Sequence, residues 1–133
     1  MNTYNRYPIT LVRGEGVKVW DEHGKEYLDF IGGLGVNILG HCHSVVVEAI
    51  TSQAKKLIHA SNLYHSQPAA ELAKLLTENG GLDEVFFCNS GTEANEGAIK
   101  LARKYQWRKK HLDKYKIFSG TNSFHGRTLA ALT

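Results

Sequence analysis

Cysteine, long apolar runs and charge of one sign are all scarce in this sequence, and each scarcity excludes a class of protein. The only two cysteines, Cys42 and Cys88, lie in different local contexts, so the sequence has no disulfide framework and suits a reducing compartment. No stretch approaches the about 20 apolar residues of a membrane span, and the N-terminal MNTYNRYPIT lacks the basic and apolar regions of a secretory signal. We therefore expect a cytoplasmic protein with no membrane partner.

The net charge is also small. A formal charge of +3 does not argue for a nucleic-acid partner. The locally basic segment RKYQWRKKHLDKYK, residues 103–116, is more typical of a solvated helix end than of an RNA- or DNA-binding patch, because cations are favoured near a helix C-terminus. The triplet His41–His43 contains possible zinc ligands, but adjacent side chains diverge and no second ligand pair follows at a familiar spacing, so no metal site is predicted.

What is present is a globular balance, with 42% hydrophobic and 22% charged residues. Alternating apolar residues around the turn DEHG predict a hairpin between Gly14 and Gly33, and the following Gly32–Gly40 reads as an irregular glycine-rich loop. Apolar stripes at helical spacing predict helices over 44–60, 68–78 and 92–110, and short apolar runs predict strands over 83–89 and 115–120.

The strand, helix and strand between residues 83 and 120 have the spacing of a βαβ unit, whose two strands should be parallel. The predicted fold class is therefore α/β. Two parallel strands and a distant hairpin do not make a covered sheet, so we expect these 133 residues to be the N-terminal portion of a longer protein.

The junction Asn89–Thr92, between the first of these strands and its helix, is small and rich in hydrogen-bond donors. A helix that starts there directs free backbone N–H groups at one point, Ser90 and Thr92 add hydroxyl donors, and Gly91 permits close approach, as a phosphate site requires. The alternative is that Ser90 or Thr92 merely caps the helix. The position beyond the carboxyl end of a parallel strand favours the phosphate, and the lack of both common nucleotide loops indicates another phosphorylated cofactor.

A second candidate segment, NSFHGRT, follows the next predicted strand. Its loop should emerge at the same sheet edge, where Phe124 offers a face for stacking, His125 a polar ring and Arg127 a fork suited to a carboxylate. The competing interpretations are core packing for Phe124 and a surface cation for Arg127.

The segments FFCNSGTEANEGAIKLARK and NSFHGRT, in this order, resemble the class III (ω-type) aminotransferases that depend on pyridoxal phosphate (PLP). The leading segments up to HCH, and AKKLIHASNLYHSQP after them, resemble the acetylornithine branch of that family. The resemblance implies fold type I, with residues 1–60 belonging to the small domain and residues 61–133 starting the large PLP-binding domain. It also implies that Ser90, Gly91 and Thr92 bind the PLP phosphate, that Phe124 stacks on the pyridine ring beside His125, and that Arg127 binds the substrate α-carboxylate.

By the same resemblance, the substrates are N2-acetylornithine and 2-oxoglutarate, the pathway is arginine biosynthesis, the assembly is a homodimer, and Gly32–Gly40 lines the substrate entrance. The Schiff-base lysine of the family lies beyond Thr133, so no catalytic residue is assigned and this chain alone is expected to be inactive. Two alternatives stay open: an ω-aminotransferase acting on ornithine, 4-aminobutyrate or succinyl-diaminopimelate, and a fragment that binds phosphate or PLP without turnover.

Overall fold

The computed structural model describes residues 1–132 and divides the chain into two compact units, Met1–His65 and the residues from Ser66 onward. The assignment of these units to the small and large domains of an aminotransferase stays a prediction. Each unit is described by itself below.

The first unit contains a three-stranded antiparallel sheet in the order β1 (Leu11–Glu15), β2 (Lys18–Asp21) and β3 (Glu26–Leu28). The predicted hairpin is the β2–β3 pair, in which Val19 lies opposite Tyr27. Strand β1 was not predicted; it pairs with β2 through a two-residue turn that begins at Gly16. Gly16 has a φ of 56°, which tight hairpin turns require at this position and glycine adopts without steric cost.

Asp21 organises the turn between β2 and β3. One carboxylate oxygen accepts the backbone N–H groups of His23 and Lys25, each at 2.9 Å, and the other accepts the Tyr27 hydroxyl at 2.8 Å. Both carboxylate oxygens therefore have hydrogen-bond donors, as a side chain that is only 7% exposed requires. The Tyr27 hydroxyl and these N–H groups lower the pKa of Asp21 below its ordinary value.

The glycine-rich segment begins with one short helical turn, α1 (Gly32–Gly35), in which Gly33 and Leu34 have left-handed φ values of 63° and 62°. Asp29 precedes this turn and accepts the N–H groups of Ile31 and Gly32, both at 2.9 Å. The predicted loop is therefore irregular, and its start is held to the end of β3.

His41, considered above as a possible metal ligand, has a structural role. Its Nε2 lies 2.7 Å from Asp29 Oδ2, and its backbone exchanges two hydrogen bonds with Gly16, of 2.9 and 2.8 Å. The end of the glycine-rich segment is thereby fixed to the β1–β2 turn. Within residues 1–132, no group of three or more His, Cys, Asp and Glu side chains is arranged to hold a metal ion.

Three longer helices follow: α2 (Ser44–Lys56), α3 (Gln67–Gly80) and α4 (Gly91–Arg108). All three were predicted, but α2 ends four residues earlier than expected because Leu57 adopts an extended backbone, with φ −163° and ψ 121°. The α3 helix has a proline in its first turn and is followed by Gly81 as a left-handed cap, in agreement with the sequence signals. None of the three contains a buried residue, so their apolar stripes stay largely exposed in the described part of the chain.

The predicted strands over 83–89 and 115–120 are also wrong, because neither segment pairs with another strand in the described part of the chain. A strand needs a neighbour for its backbone hydrogen bonds, and an apolar sequence indicates only that a segment would suit a sheet. The βαβ unit with parallel strands is therefore not formed among residues 1–132.

Among the described residues, no helix is both long enough and apolar enough to cross a bilayer.

Candidate functional site

The site begins at the N-terminus of α4, where Ser90 is the capping residue. Ser90 has an extended backbone, and its hydroxyl oxygen accepts the N–H of Glu93 at 3.2 Å. The Glu93 carboxylate in turn accepts the backbone N–H of Asn89 at 2.8 Å and its side-chain amide at 3.0 Å. This reciprocal arrangement is the capping that we considered as the alternative to a phosphate site.

Capping and anion binding are compatible at this helix end. Ser90 uses a lone pair in the cap, so its hydroxyl proton can still be donated. The backbone N–H groups of Gly91 and Thr92 have no acceptor among the described residues, because they lie in the first turn of the helix. The space beside the α-carbon of Gly91 is open. The three predicted phosphate-binding residues therefore offer donors and room for a phosphate.

The second predicted segment lies against this helix end. The side-chain amide of Asn95 donates to the carbonyl of His125 at 2.6 Å. A β-carbon added to Gly126 would lie 2.3 Å from Thr92 Oγ1, so the Thr92 side chain and the Gly126 backbone are in direct contact. The two turns are therefore adjacent, as expected, although residues 1–132 do not form the parallel strands on which that expectation was based.

Glu96 supplies further contacts between α4 and the second segment. One of its carboxylate oxygens accepts the Thr128 hydroxyl at 2.5 Å and the Ala130 N–H at 2.9 Å. The Thr128 hydrogen bond, followed by that of Ala130, lowers the pKa of Glu96 below its ordinary value. Sequence reasoning missed this role. The available signal was helical spacing, since Asn95 and Glu96 follow Thr92 by three and four residues and so share its side of the helix.

Phe124, His125 and Arg127 do not all face the same way. Phe124 is 75% exposed, and the Arg127 guanidinium carbon lies 5.4 Å from the centre of its ring. His125 instead lines a cavity of about 810 Å³ between α4 and the segment 117–130, which neither Phe124 nor Arg127 lines. Its Nε2 atom is buried and has no hydrogen-bond partner among the described residues.

These placements suit a planar, phosphorylated and partly apolar ligand. The helix end offers donors for the phosphate, the exposed Phe124 ring offers a stacking face, and Arg127 brings a positive charge next to that ring. Because a phenyl ring has two faces, the guanidinium on one leaves the other for a flat heterocycle. The orphaned His125 nitrogen is a polar group that can bind a further partner.

Comparison with known proteins decides the family. The family model for class-III aminotransferases matches residues 1–133. The chain belongs to this family. Class-III aminotransferases depend on PLP, which is the kind of ligand that the helix end and the exposed aromatic ring suit.

Two of the similar proteins are acetylornithine aminotransferases. The chain is 60% identical to the acetylornithine aminotransferase of Caldanaerobacter subterraneus subsp. tengcongensis, over all of this chain and 34% of the relative. Among solved structures, it is similar to the N-acetylornithine aminotransferase of Stenotrophomonas maltophilia K279a, with a TM-score of 0.81 and 37% identity over 86% of this chain and 34% of that one.

A third relative is an ω-transaminase. The (S)-enantioselective ω-transaminase of Thermomicrobium roseum gives a TM-score of 0.88 and 41% identity over 94% of this chain and 29% of that one. Such neighbours establish the mixed α/β fold of PLP-dependent aminotransferases for the matched part. The chain spans about a third of the length of the relatives that it matches.

Proposed function

We propose that the protein carrying this sequence transfers the δ-amino group of N2-acetylornithine to 2-oxoglutarate with PLP, as a step of arginine biosynthesis. The 60% identity to an acetylornithine aminotransferase over the whole chain supports this choice of substrates. A homodimer in the cytoplasm is part of the proposal, on the family resemblance and on the scarcity of cysteine and apolar runs.

The observation that carries the proposal is the contact between the two turns. Thr92 touches Gly126, and Asn95 binds the carbonyl of His125, so a phosphate-binding helix end lies beside an exposed aromatic ring and an arginine. A helix cap alone would require only Ser90 and Glu93 and would give no reason for this neighbour.

When bound, PLP supplies the electron sink for the reaction. The residues of this chain would bind and orient the cofactor and the amino donor. The N–H groups of Gly91 and Thr92 and the hydroxyl of Ser90 would hold the phosphate, and Phe124 would cover one face of the ring and exclude water there. Arg127 would hold the α-carboxylate of the amino donor, so that its δ-amino end points toward the cofactor.

The lysine that exchanges protons with the substrate is not among the residues assigned here. No lysine of this chain is proposed for that task, because the family's lysine follows this part of the sequence. The contribution of these residues is thus cofactor and substrate binding.

The test is a comparison of amino donors with the full-length protein. With 2-oxoglutarate as acceptor, glutamate formation is measured with N2-acetylornithine, ornithine, 4-aminobutyrate and succinyl-diaminopimelate. We expect the highest kcat/KM with N2-acetylornithine. Replacing Arg127 by Lys should raise KM more than it lowers kcat, since a lysine keeps the charge but loses the two-pronged contact. A higher kcat/KM with any other donor would reject the assigned substrate.

A second candidate is an ω-aminotransferase with another amino donor. The structural similarity to the ω-transaminase of Thermomicrobium roseum favours it, because that relative is more similar in fold than the N-acetylornithine aminotransferase of Stenotrophomonas maltophilia. The same comparison of donors distinguishes the two candidates.

A further inference from the structure

Two neighbouring side chains on α4 bind the loop 122–130 on both sides of Arg127. Asn95 binds the carbonyl of His125, two residues before the arginine, at 2.6 Å. Glu96 binds the hydroxyl of Thr128, the residue after the arginine, at 2.5 Å, and the N–H of Ala130 at 2.9 Å.

These bonds matter because residues 122–130 form no helix or strand that could fix their position. A loop without regular hydrogen bonds keeps its place only through contacts to rigid elements. The element here is α4, whose first turn also forms the proposed phosphate site. One helix therefore sets both the cofactor end and the carboxylate end of the site.

Of Asn95 and Glu96, Glu96 makes the stronger hydrogen bonds to the loop. It is ionised at neutral pH, and hydrogen bonds to a charged acceptor are shorter and stronger than those between neutral groups. The hydrogen bonds from Thr128 and Ala130 both go to a single oxygen, Oε1, and the backbone of Ala131 adds a further hydrogen bond to the carboxylate. A glutamine in its place keeps an oxygen for the two donors and loses the charge, whereas an alanine removes the acceptor.

We propose that Glu96, assisted by Asn95, is a positioning residue that aims Arg127 at the carboxylate of the amino donor and so sets the affinity for carboxylate-bearing donors. This inference rests on the proposed function, in which Arg127 binds that carboxylate. In this proposal Glu96 acts on Arg127 through the loop, by its hydrogen bonds to Thr128 and Ala130, and not as a group that binds substrate or cofactor. A small displacement of a binding group can cost a large factor in rate, so a helix residue outside the site can control specificity.

The kinetic test uses the full-length protein with Glu96→Ala and Glu96→Gln. The control is Glu48→Ala, which removes a glutamate of α2 whose side chain makes no hydrogen bond or ion pair with the described residues. We expect E96A to raise KM for N2-acetylornithine about tenfold while kcat changes less than about threefold, which is the pattern of lost ground-state binding. E96Q should stay within about threefold of wild type, since the acceptor oxygen is kept.

A simple alkylamine donor without a carboxylate separates positioning from general damage to the fold. Its kcat/KM should be unchanged in E96A, because Arg127 has nothing to bind there. An equal loss with both donors, or a wild-type KM for N2-acetylornithine in E96A, would overturn the proposal.

Hydrogen exchange gives a second readout that needs no activity. By mass spectrometry, peptides containing Ala130 should exchange faster in E96A than in wild type, E96Q or E48A. Unchanged exchange in E96A would overturn the inference by itself. If the wild-type enzyme does not use N2-acetylornithine, the proposed function fails, and the exchange experiment still decides whether Glu96 fixes the loop.

Discussion

At the scale of single residues, the closest packing in the site is between Gly126 and Thr92. Gly126 is buried and has a φ of 133°, a backbone conformation that residues with a side chain rarely adopt. The Thr92 side chain occupies the space that a β-carbon would need. This position thus requires glycine both for its conformation and for its neighbour.

We expect Gly126→Ala to lower the free energy of unfolding by about 2–4 kcal/mol, from backbone strain and overlap together. It should also weaken PLP binding, because relief of the overlap would move Thr92. Urea unfolding and a cofactor titration of the full-length protein measure the two effects.

Gly97→Ala is the matched control for this substitution. Gly97 lies inside α4, and an added β-carbon would meet Phe86 at 3.4 Å, an ordinary contact distance. Alanine has the higher helix propensity, so we expect a gain of about 0.5–1 kcal/mol. A loss of stability of similar size in both variants would contradict this account of Gly126.

Asp29 gives a pH-dependent prediction at the same scale. The hydrogen bond from His41, followed by those from Gly32 and Ile31, lowers its pKa below the ordinary value. A carboxyl whose pKa is lower in the folded state stabilises the fold above its unfolded pKa of about 4, and this stabilisation is lost as pH falls through the folded value.

Asp29→Asn removes this titration, so the variant should be less stable at pH 7 and should lose less stability than wild type between about pH 5 and pH 2. Thermal unfolding followed by circular dichroism across that range measures the difference. Parallel curves for the two proteins would show that Asp29 does not control acid stability.

At the scale of elements, the three longer helices and the β2–β3 hairpin were read correctly from the sequence, whereas the strands predicted over 83–89 and 115–120 were not. Helix α3 carries its own signals, with proline in the first turn and glycine after the last, and these act within a few residues. The segments 83–89 and 115–120 have strand-like sequences but require partners that the described residues do not supply. The missed strand β1 is joined to β2 by the turn that begins at Gly16, whose φ is positive.

The site follows the same division between local and distant causes. The cap at Ser90 and the donors of Gly91 and Thr92 follow from sequence, because a helix start is a local event. The bonds from Asn95 to His125 and from Glu96 to Thr128 span 30 and 32 residues, and no spacing rule reports which distant residues will meet. The different surroundings of Phe124, which is exposed, and His125, which lines the cavity, could not be predicted for the same reason.

At the scale of the whole molecule, exposure of apolar side chains dominates. The described chain exposes 12446 Å², whereas a self-contained folded protein of 14.8 kDa exposes about 7000 Å². Phe118 and Leu129, at the cavity beside α4, are 91% and 95% exposed. Patches of this kind are normally covered by other protein surface.

We expect the 133-residue polypeptide alone to form no specific covalent link to PLP, because none of its lysines is assigned to the cofactor. Incubation with PLP, borohydride reduction and peptide mass spectrometry would detect a reduced lysine adduct. The full-length protein is the positive control and should give one modified lysine per subunit. A single stoichiometric adduct on the 133-residue chain would contradict the expectation.

The reciprocal cap of Ser90 and Glu93 has a consequence for the entropy of binding a phosphate. The cap orders the helix start before any ligand arrives, so the N–H groups of Gly91 and Thr92 already point outward. Capture of the anion then freezes few additional torsions, and little of the interaction is spent on ordering the receptor. The turn is therefore a preorganised binding site, and preorganisation favours tight retention of the cofactor between turnovers.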